Sequence, residues 1–157
     1  MGILVTFYSR TGNTKKVAEE IAKELRADID EIKDIKNREG IVGFIGAGRD
    51  AVFKKQTRIK NNLNPDDYGL IIIGTPIWAG TMVPAIRSYL VKNNLKNKKV
   101  AFFCTAGNEQ KKAFFEMEKL SSKPIALVGI RDKKVKNNKF QEEVKCFCGK
   151  VKNNYKY

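Results

Sequence analysis

The sequence predicts an α/β fold with a parallel β-sheet sandwiched between helices. Three observations carry this. Five short apolar runs recur along the 157 residues, separated by stretches with helical apolar spacing, as in βαβ units. A content of 42% hydrophobic and 10% aromatic residues offers enough apolar surface for a core despite a formal net charge of +14, which argues against disorder. Gly, Thr, Pro or a charge interrupts every apolar run short of the ~20 residues that a membrane span needs.

The elements follow in order. Gly2–Tyr8 (GILVTFY) is a short apolar run of the kind buried on both faces of a parallel sheet. Asn13–Arg26 places Val17, Ala18, Ile21, Ala22 and Leu25 at the spacing of an amphipathic helix. Ile29–Ile35 alternates apolar and acidic residues and reads as an edge-like strand. Leu70–Gly74 (LIIIG) is a buried strand with a helix over Val83–Val91 after it. Val100–Cys104 (VAFFC) is a fourth strand, and a helix over Glu109–Leu120 carries Ala113, Phe114, Met117 and Leu120 on one face. Pro124–Ile130 is a fifth strand and Phe140–Val151 a closing helix. The length predicts a single domain over 1–157, with a basic tail at 150–157 that frays.

Composition narrows the chemistry. The chain has no histidine, which removes His-ligated metals and Ser–His or Cys–His catalysis. Three cysteines, Cys104, Cys146 and Cys148, are an odd count that fits a reducing compartment better than a disulfide framework. With no basic leader at the N-terminus, the expectation is a soluble cytoplasmic protein. Charge is uneven: residues 1–70 hold 13 Lys+Arg and 11 acids, residues 71–157 hold 18 and 6. A basic half can meet acidic partners. Repeated Asn and Lys equally fit compositional drift.

Ligands in open α/β sheets bind beyond the carboxyl ends of the strands, near the point where strand order reverses. The segments after the first, third and fourth strands are therefore the candidates. Ser9-Arg10-Thr11-Gly12-Asn13-Thr14 joins a strand to a helix N-terminus, where unpaired N–H groups and the helix dipole attract an anion. No lysine follows Gly12, so this is not a nucleoside triphosphate P-loop. It suits a phosphate monoester held without Mg²⁺, with ordinary helix capping as the alternative. Gly74-Thr75-Pro76-Ile77-Trp78-Ala79-Gly80-Thr81 contains the only tryptophan, whose flat face suits an aromatic ligand. A Trp folded back over the core is the competing account. Thr105-Ala106-Gly107-Asn108 follows the fourth strand and offers backbone donors and acceptors.

Two further matches carry less. Gly46-Ala47-Gly48-Arg49-Asp50-Ala51 fits the G-x-G-x-x-A dinucleotide fingerprint, but no second strand ends at Asp66 or Asp67 as that motif requires. Met1-Gly2-Ile3-Leu4-Val5-Thr6 fits a myristoylation pattern within a run that belongs inside a sheet. Gly40–Lys60, with Arg49, Lys54, Lys55, Arg58 and Lys60, is either a solvated face or a basic rim beside the ligand. Nucleic acid is not favoured, since no binding module accompanies the charge.

Ser-x-Thr-Gly-Asn-Thr after an N-terminal strand resembles the phosphate-binding loop of the flavodoxin family. Strand count, loop positions and length resemble it over nearly the whole chain. The resemblance implies a flavodoxin-like doubly wound five-stranded parallel sheet, order 2-1-3-4-5, with helices on both faces, the order for which flavodoxin is a type example. It implies that Ser9, Arg10, Thr11, Gly12, Asn13 and Thr14 hold the phosphate end of FMN. It further implies that Thr75, Pro76, Ile77, Trp78, Ala79 and Gly80 meet the isoalloxazine, and that Thr105, Ala106, Gly107 and Asn108 meet its pyrimidine edge. The implied function is electron transfer, with FMN cycling between oxidised, semiquinone and hydroquinone forms. An NAD(P)H-dependent FMN oxidoreductase reducing a quinone or flavin is the alternative, and a non-redox anion-binding domain a second. Many flavodoxins carry an aromatic residue in the last of these loops; this chain does not, unless Phe44, Tyr155 or Tyr157 covers the ring from elsewhere. The implied partner is an acidic redox protein, or NAD(P)H plus a small-molecule acceptor. Flavodoxins are typically acidic. The cations Arg10, Arg87, Lys111 and Lys112 predict a hydroquinone potential less negative than theirs.

Overall fold

A computed structural model describes residues 1–35, 56–107 and 110–155. The strands are β1 (Gly2–Phe7), β2 (Asp28–Glu31), β3 (Lys33–Asp34), β4 (Ile59–Lys60), β5 (Tyr68–Trp78), β6 (Thr81–Met82), β7 (Lys99–Ala106) and β8 (Leu127–Arg131). The α-helices are α1 (Asn13–Leu25), α2 (Pro84–Asn93), α3 (Lys111–Leu120), α4 (Asp132–Lys136) and α5 (Gln141–Asn154). Five strands form one parallel sheet in the order β2-β1-β5-β7-β8. Counting these five main strands alone, that is the expected 2-1-3-4-5 order.

Alternation along the buried strands sorts side chains onto two helical layers. Ile3, Val5, Phe7, Leu70, Ile72, Ala101 and Phe103 pack with α1 and α5 through Val17, Ile21, Val144, Phe147 and Val151. Leu4, Ile71, Ile73, Val100 and Phe102 pack on the other face with Ile86, Tyr89 and Leu90 of α2 and Met117 of α3. Each middle strand is covered on both sides, which is why it reads as a continuous apolar run.

The edge behaves differently from its alternation pattern. Only Asp28–Glu31 pairs with β1, after which the chain leaves the sheet and Lys33–Asp34 pairs antiparallel with Ile59–Lys60. Asp30, not an isoleucine, is the inward residue of β2 at 3% exposure, while Ile29 is 42% exposed. The buried carboxylate accepts from the backbone N–H groups of Asn62 and Leu63, both at 2.9 Å. A satisfied acid has here taken the place of an apolar side chain.

Two further expectations change. β5 runs past Gly74 to Trp78 because Ile77 and Trp78 pair back onto Met82 and Thr81. The tail does not fray at Lys150: α5 continues to Asn154, Val151 and Tyr155 are buried, and the Tyr155 hydroxyl donates to the Met1 carbonyl at 3.2 Å. Burial supplies the ordering that the tail's basic composition hid. The dinucleotide-like motif, most of Gly40–Lys60, Phe44 and Tyr157 lie outside the described residues.

Cys104 and Cys148 are buried thiols and Cys146 is exposed. Burial raises both buried thiols, Cys148 up to about 12, so neither carries thiolate near neutral pH. One thiol is expected to react with a disulfide reagent in the folded protein at mildly alkaline pH, and all three in denaturant. Rapid native labelling of more than one would contradict this packing. Among the described residues no helix is long and apolar enough to cross a membrane.

Candidate functional site

Because the sheet is parallel, β1, β5, β7 and β8 deliver their carboxyl ends to one edge. There a cavity of about 470 Å³ is lined by the ends of β5 and β7 and by the segments that follow β1 and β8, a volume in the range of small-molecule and cofactor sites.

One wall is the start of α1. Gly12 occupies the N-cap in the left-handed region, φ 93°, which glycine adopts without strain. The Ser9 hydroxyl accepts from the N–H groups of Gly12 and Lys15, both at 3.2 Å, curling the loop over the first helical turn. Ser9 and Gly12 therefore shape the loop, while Arg10, Thr11, Asn13 and Thr14 line the cavity. The N–H groups of Asn13 and Thr14 have no carbonyl four residues back within the helix. No acid of α1 itself stands in that first turn, which suits an incoming anion; the carboxylate nearby is that of Asp132, tied to the Asn13 side chain.

The opposite wall is the end of β5. Pro76, Ile77, Trp78 and Ala79 line the cavity. Thr75 is fully buried and structural, its hydroxyl donating to the Pro76 carbonyl at 2.8 Å and accepting from the Val83 N–H at 3.3 Å. Gly74 is required by a close approach: a Cβ there would lie 2.0 Å from Cζ of Phe103. Ala79 and Gly80 form a two-residue hairpin turn with φ 49° and 78°, the positive values that such tight hairpins demand. Gly80 lies outside the lining. An L-residue at Ala79 is strained, so Ala79→Gly is expected to raise stability by about 1 kcal/mol. A urea midpoint shift with an unchanged slope would show it.

Trp78 is 8% exposed and meets the Tyr8 ring edge to face, centroids 5.7 Å apart and planes at 88°. It is thus both packed on the core and part of the cavity wall, combining the two accounts of this residue. The turn is held from below. The Thr81 hydroxyl donates to Glu116 Oε2 at 2.7 Å, and Arg87 Nη2 donates to the same oxygen at 2.6 Å. All three side chains are buried. Arg87, expected as a cation beside the ligand, is instead a neutralised partner of Glu116, and of the other three expected cations Arg10 lines the cavity while Lys111 and Lys112 do not.

The third expected segment contributes less lining. Thr105 reaches the cavity and its hydroxyl shares a 2.9 Å hydrogen bond with that of Thr14, joining α1 to β7. Ala106 is buried, Gly107 is exposed, and neither lines the cavity; Asn108 lies outside the described residues. A Cβ at Gly107 would meet nothing within 4 Å. Tyr155 packs near Met1 and Gly69 at the opposite end of the sheet, so it does not cover this site.

Asp132 and Lys136 of α4 also line the cavity, and Asp132 Oδ1 accepts from Asn13 Nδ2 at 3.1 Å. Sequence reasoning missed both. The available signal was the fifth strand itself: its carboxyl end must face the same edge as the other four, so the residues after Arg131 belong to the search.

Comparison with known proteins agrees with this architecture. A sequence-family profile described as a flavodoxin domain matches residues 4–152. The flavodoxin-like domain-containing protein BilS of Clostridioides difficile (strain CD3) is 30% identical over 114 residues, covering 73% of this chain and 52% of that protein. The chain thus spans about half the length of that curated relative. A flavoprotein from Lactobacillus acidophilus NCFM, solved in complex with FMN, is 26% identical with a TM-score of 0.71, covering 87% of this chain and 97% of its own. Oxidised flavodoxin 1 from Bacillus cereus, 17% identical with a TM-score of 0.57, covers 98% of this chain and 99% of its own, a likeness of fold. By the extent of the matched profile, this chain belongs to the flavodoxin-domain family.

Proposed function

We propose that the chain binds FMN non-covalently in this cavity and serves in electron transfer. The observation that carries the reading is the single cavity that joins the hydroxyl-rich start of α1 to the Trp78 hairpin. These residues fit a flavin mononucleotide. Thr11, Thr14 and the first N–H groups of α1 would hold the phosphate, with Arg10 and Lys136 adding positive charge. Thr14 and Thr105 would face the sugar-alcohol chain, and Trp78 would cover the ring system. The FMN-bound Lactobacillus acidophilus flavoprotein supports this assignment by its likeness. Bound FMN would supply one- and two-electron redox chemistry.

The protein's part is binding, orientation and electrostatics. Gly12 and Ser9 preset the loop, the buried Glu116 holds the hairpin, and Trp78 excludes water from one face. A second reading, an enzyme oxidising NAD(P)H and reducing a quinone or flavin, is favoured by one observation. Among the described residues, Gly107 is exposed with open space beside it and Tyr155 is elsewhere, which leaves room for a small molecule at this point. Reconstitution with FMN followed by anaerobic photoreduction separates the two. Bleaching in two distinct phases without NADPH turnover supports the carrier. A single phase with steady NADPH oxidation would overturn it in favour of the enzyme.

A further inference from the structure

α3 turns two very different faces outward and inward. Ala113, Glu116 and Met117 are buried, and Glu116 bonds the hairpin that carries Trp78. On the opposite face, Lys111, Lys112, Phe115, Glu118 and Lys119 are exposed, and helical spacing puts Phe115 at the centre with the charges around it. Phe115 is 59% exposed, and its ring is flanked by the Lys119 ammonium 4.3 Å from the centroid. An exposed aromatic ringed by three lysines and one acid, directly behind the cavity wall, has the anatomy of a docking patch: an apolar anchor within a charged rim.

We propose that this face of α3 is the docking surface for an acidic electron-transfer protein, an inference that rests on the FMN reading above. Positive charge at the rim would steer an acidic partner, and Phe115 would anchor it. Glu116, on the buried face of the same helix, bonds Thr81, the pairing partner of Trp78, so a partner seated on the outer face is separated from the Trp78 hairpin by the width of one helix, about 10 Å. Electrons would pass singly from the reduced flavin to the partner's oxidised centre. Two ferric haems become ferrous for each fully reduced flavin reoxidised, and the flavin's protons go to solvent.

The test uses photoreduced, FMN-loaded protein with cytochrome b5 as an acidic haem acceptor and cytochrome c as a basic one. Reduction of cytochrome b5 is expected to be the faster at low salt and to fall steeply with ionic strength. The triple charge reversal K111E/K112E/K119E should slow it at least tenfold. The same change of charge on α5, K145E/K150E/K152E, should have little effect. F115S should slow it at high salt, where steering is screened. Equal slowing by both triple variants would reduce the effect to net charge and overturn the proposal. So would binding of the α3 face to duplex DNA without acceleration of cytochrome b5, which would assign the face to nucleic acid. Calorimetric binding of cytochrome b5 to the flavin-free protein reads the surface independently. If FMN fails to bind but that affinity is present and lost in the α3 triple variant, the surface stands and the cofactor reading fails.

Discussion

Glu116→Ala is expected to cost about 3–5 kcal/mol of folding stability, because it leaves the Arg87 guanidinium buried without its partner. Arg87 and Glu116 are each 7% exposed, and Arg87 Nε already lacks a hydrogen-bond partner. Among the described residues the guanidinium has no second carboxylate within ion-pair distance. The Thr81 hydroxyl loses its acceptor in the same change. Total stabilities of domains this size are about 5–15 kcal/mol, so the loss is large enough to read directly in urea unfolding of the flavin-free protein. The double variant Arg87→Met with Glu116→Leu removes both charges and should lose much less, since well-packed apolar pairs replace buried ion pairs at little cost. A single-variant loss below about 1 kcal/mol would mean that the pair is hydrated and not a support for the hairpin.

Trp78→Ala should weaken FMN binding by about 10- to 100-fold, the scale of an aromatic stacking contact worth roughly 1–3 kcal/mol. It also removes the edge contact with Tyr8 and opens a hole in the core, so the variant loses stability as well. Trp78→Phe separates the two effects. A smaller flat ring keeps much of the stacking and should retain affinity within about tenfold of the parent. Unchanged FMN affinity in Trp78→Ala would place the flavin ring away from this wall.

The sheet was legible because its central strands are buried on both faces and say so in unbroken apolar runs such as Leu70–Gly74. The helices were legible because α1 repeats its apolar residues at helical spacing. The edge was not, since Asp30 is buried by accepting backbone hydrogen bonds from Asn62 and Leu63, contacts 32 and 33 residues away that no local pattern announces. The tail misled in a similar way: Lys150 and Lys152 are exposed while Val151 and Tyr155 hold it down.

At the site, the segment after β1 and Trp78 were legible as cavity wall, because both lie at the carboxyl ends of strands. Arg87 was misread as a site cation. Its role depends on Glu116 being brought beneath it from a different helix, which only tertiary packing decides. Asp132 and Lys136 were missed for want of one topological step, that a fifth parallel strand ends where the other four do.

The most direct test of the account is a titration of the flavin-free protein with FMN and, separately, with riboflavin, following the emission of its only tryptophan. One FMN per chain, strong quenching of Trp78 and weaker binding of riboflavin are expected, since riboflavin lacks the phosphate proposed to sit at the start of α1. Equal affinity for the two flavins would contradict the phosphate assignment. No quenching and no binding of either would contradict the cofactor itself, leaving a flavodoxin fold put to another use.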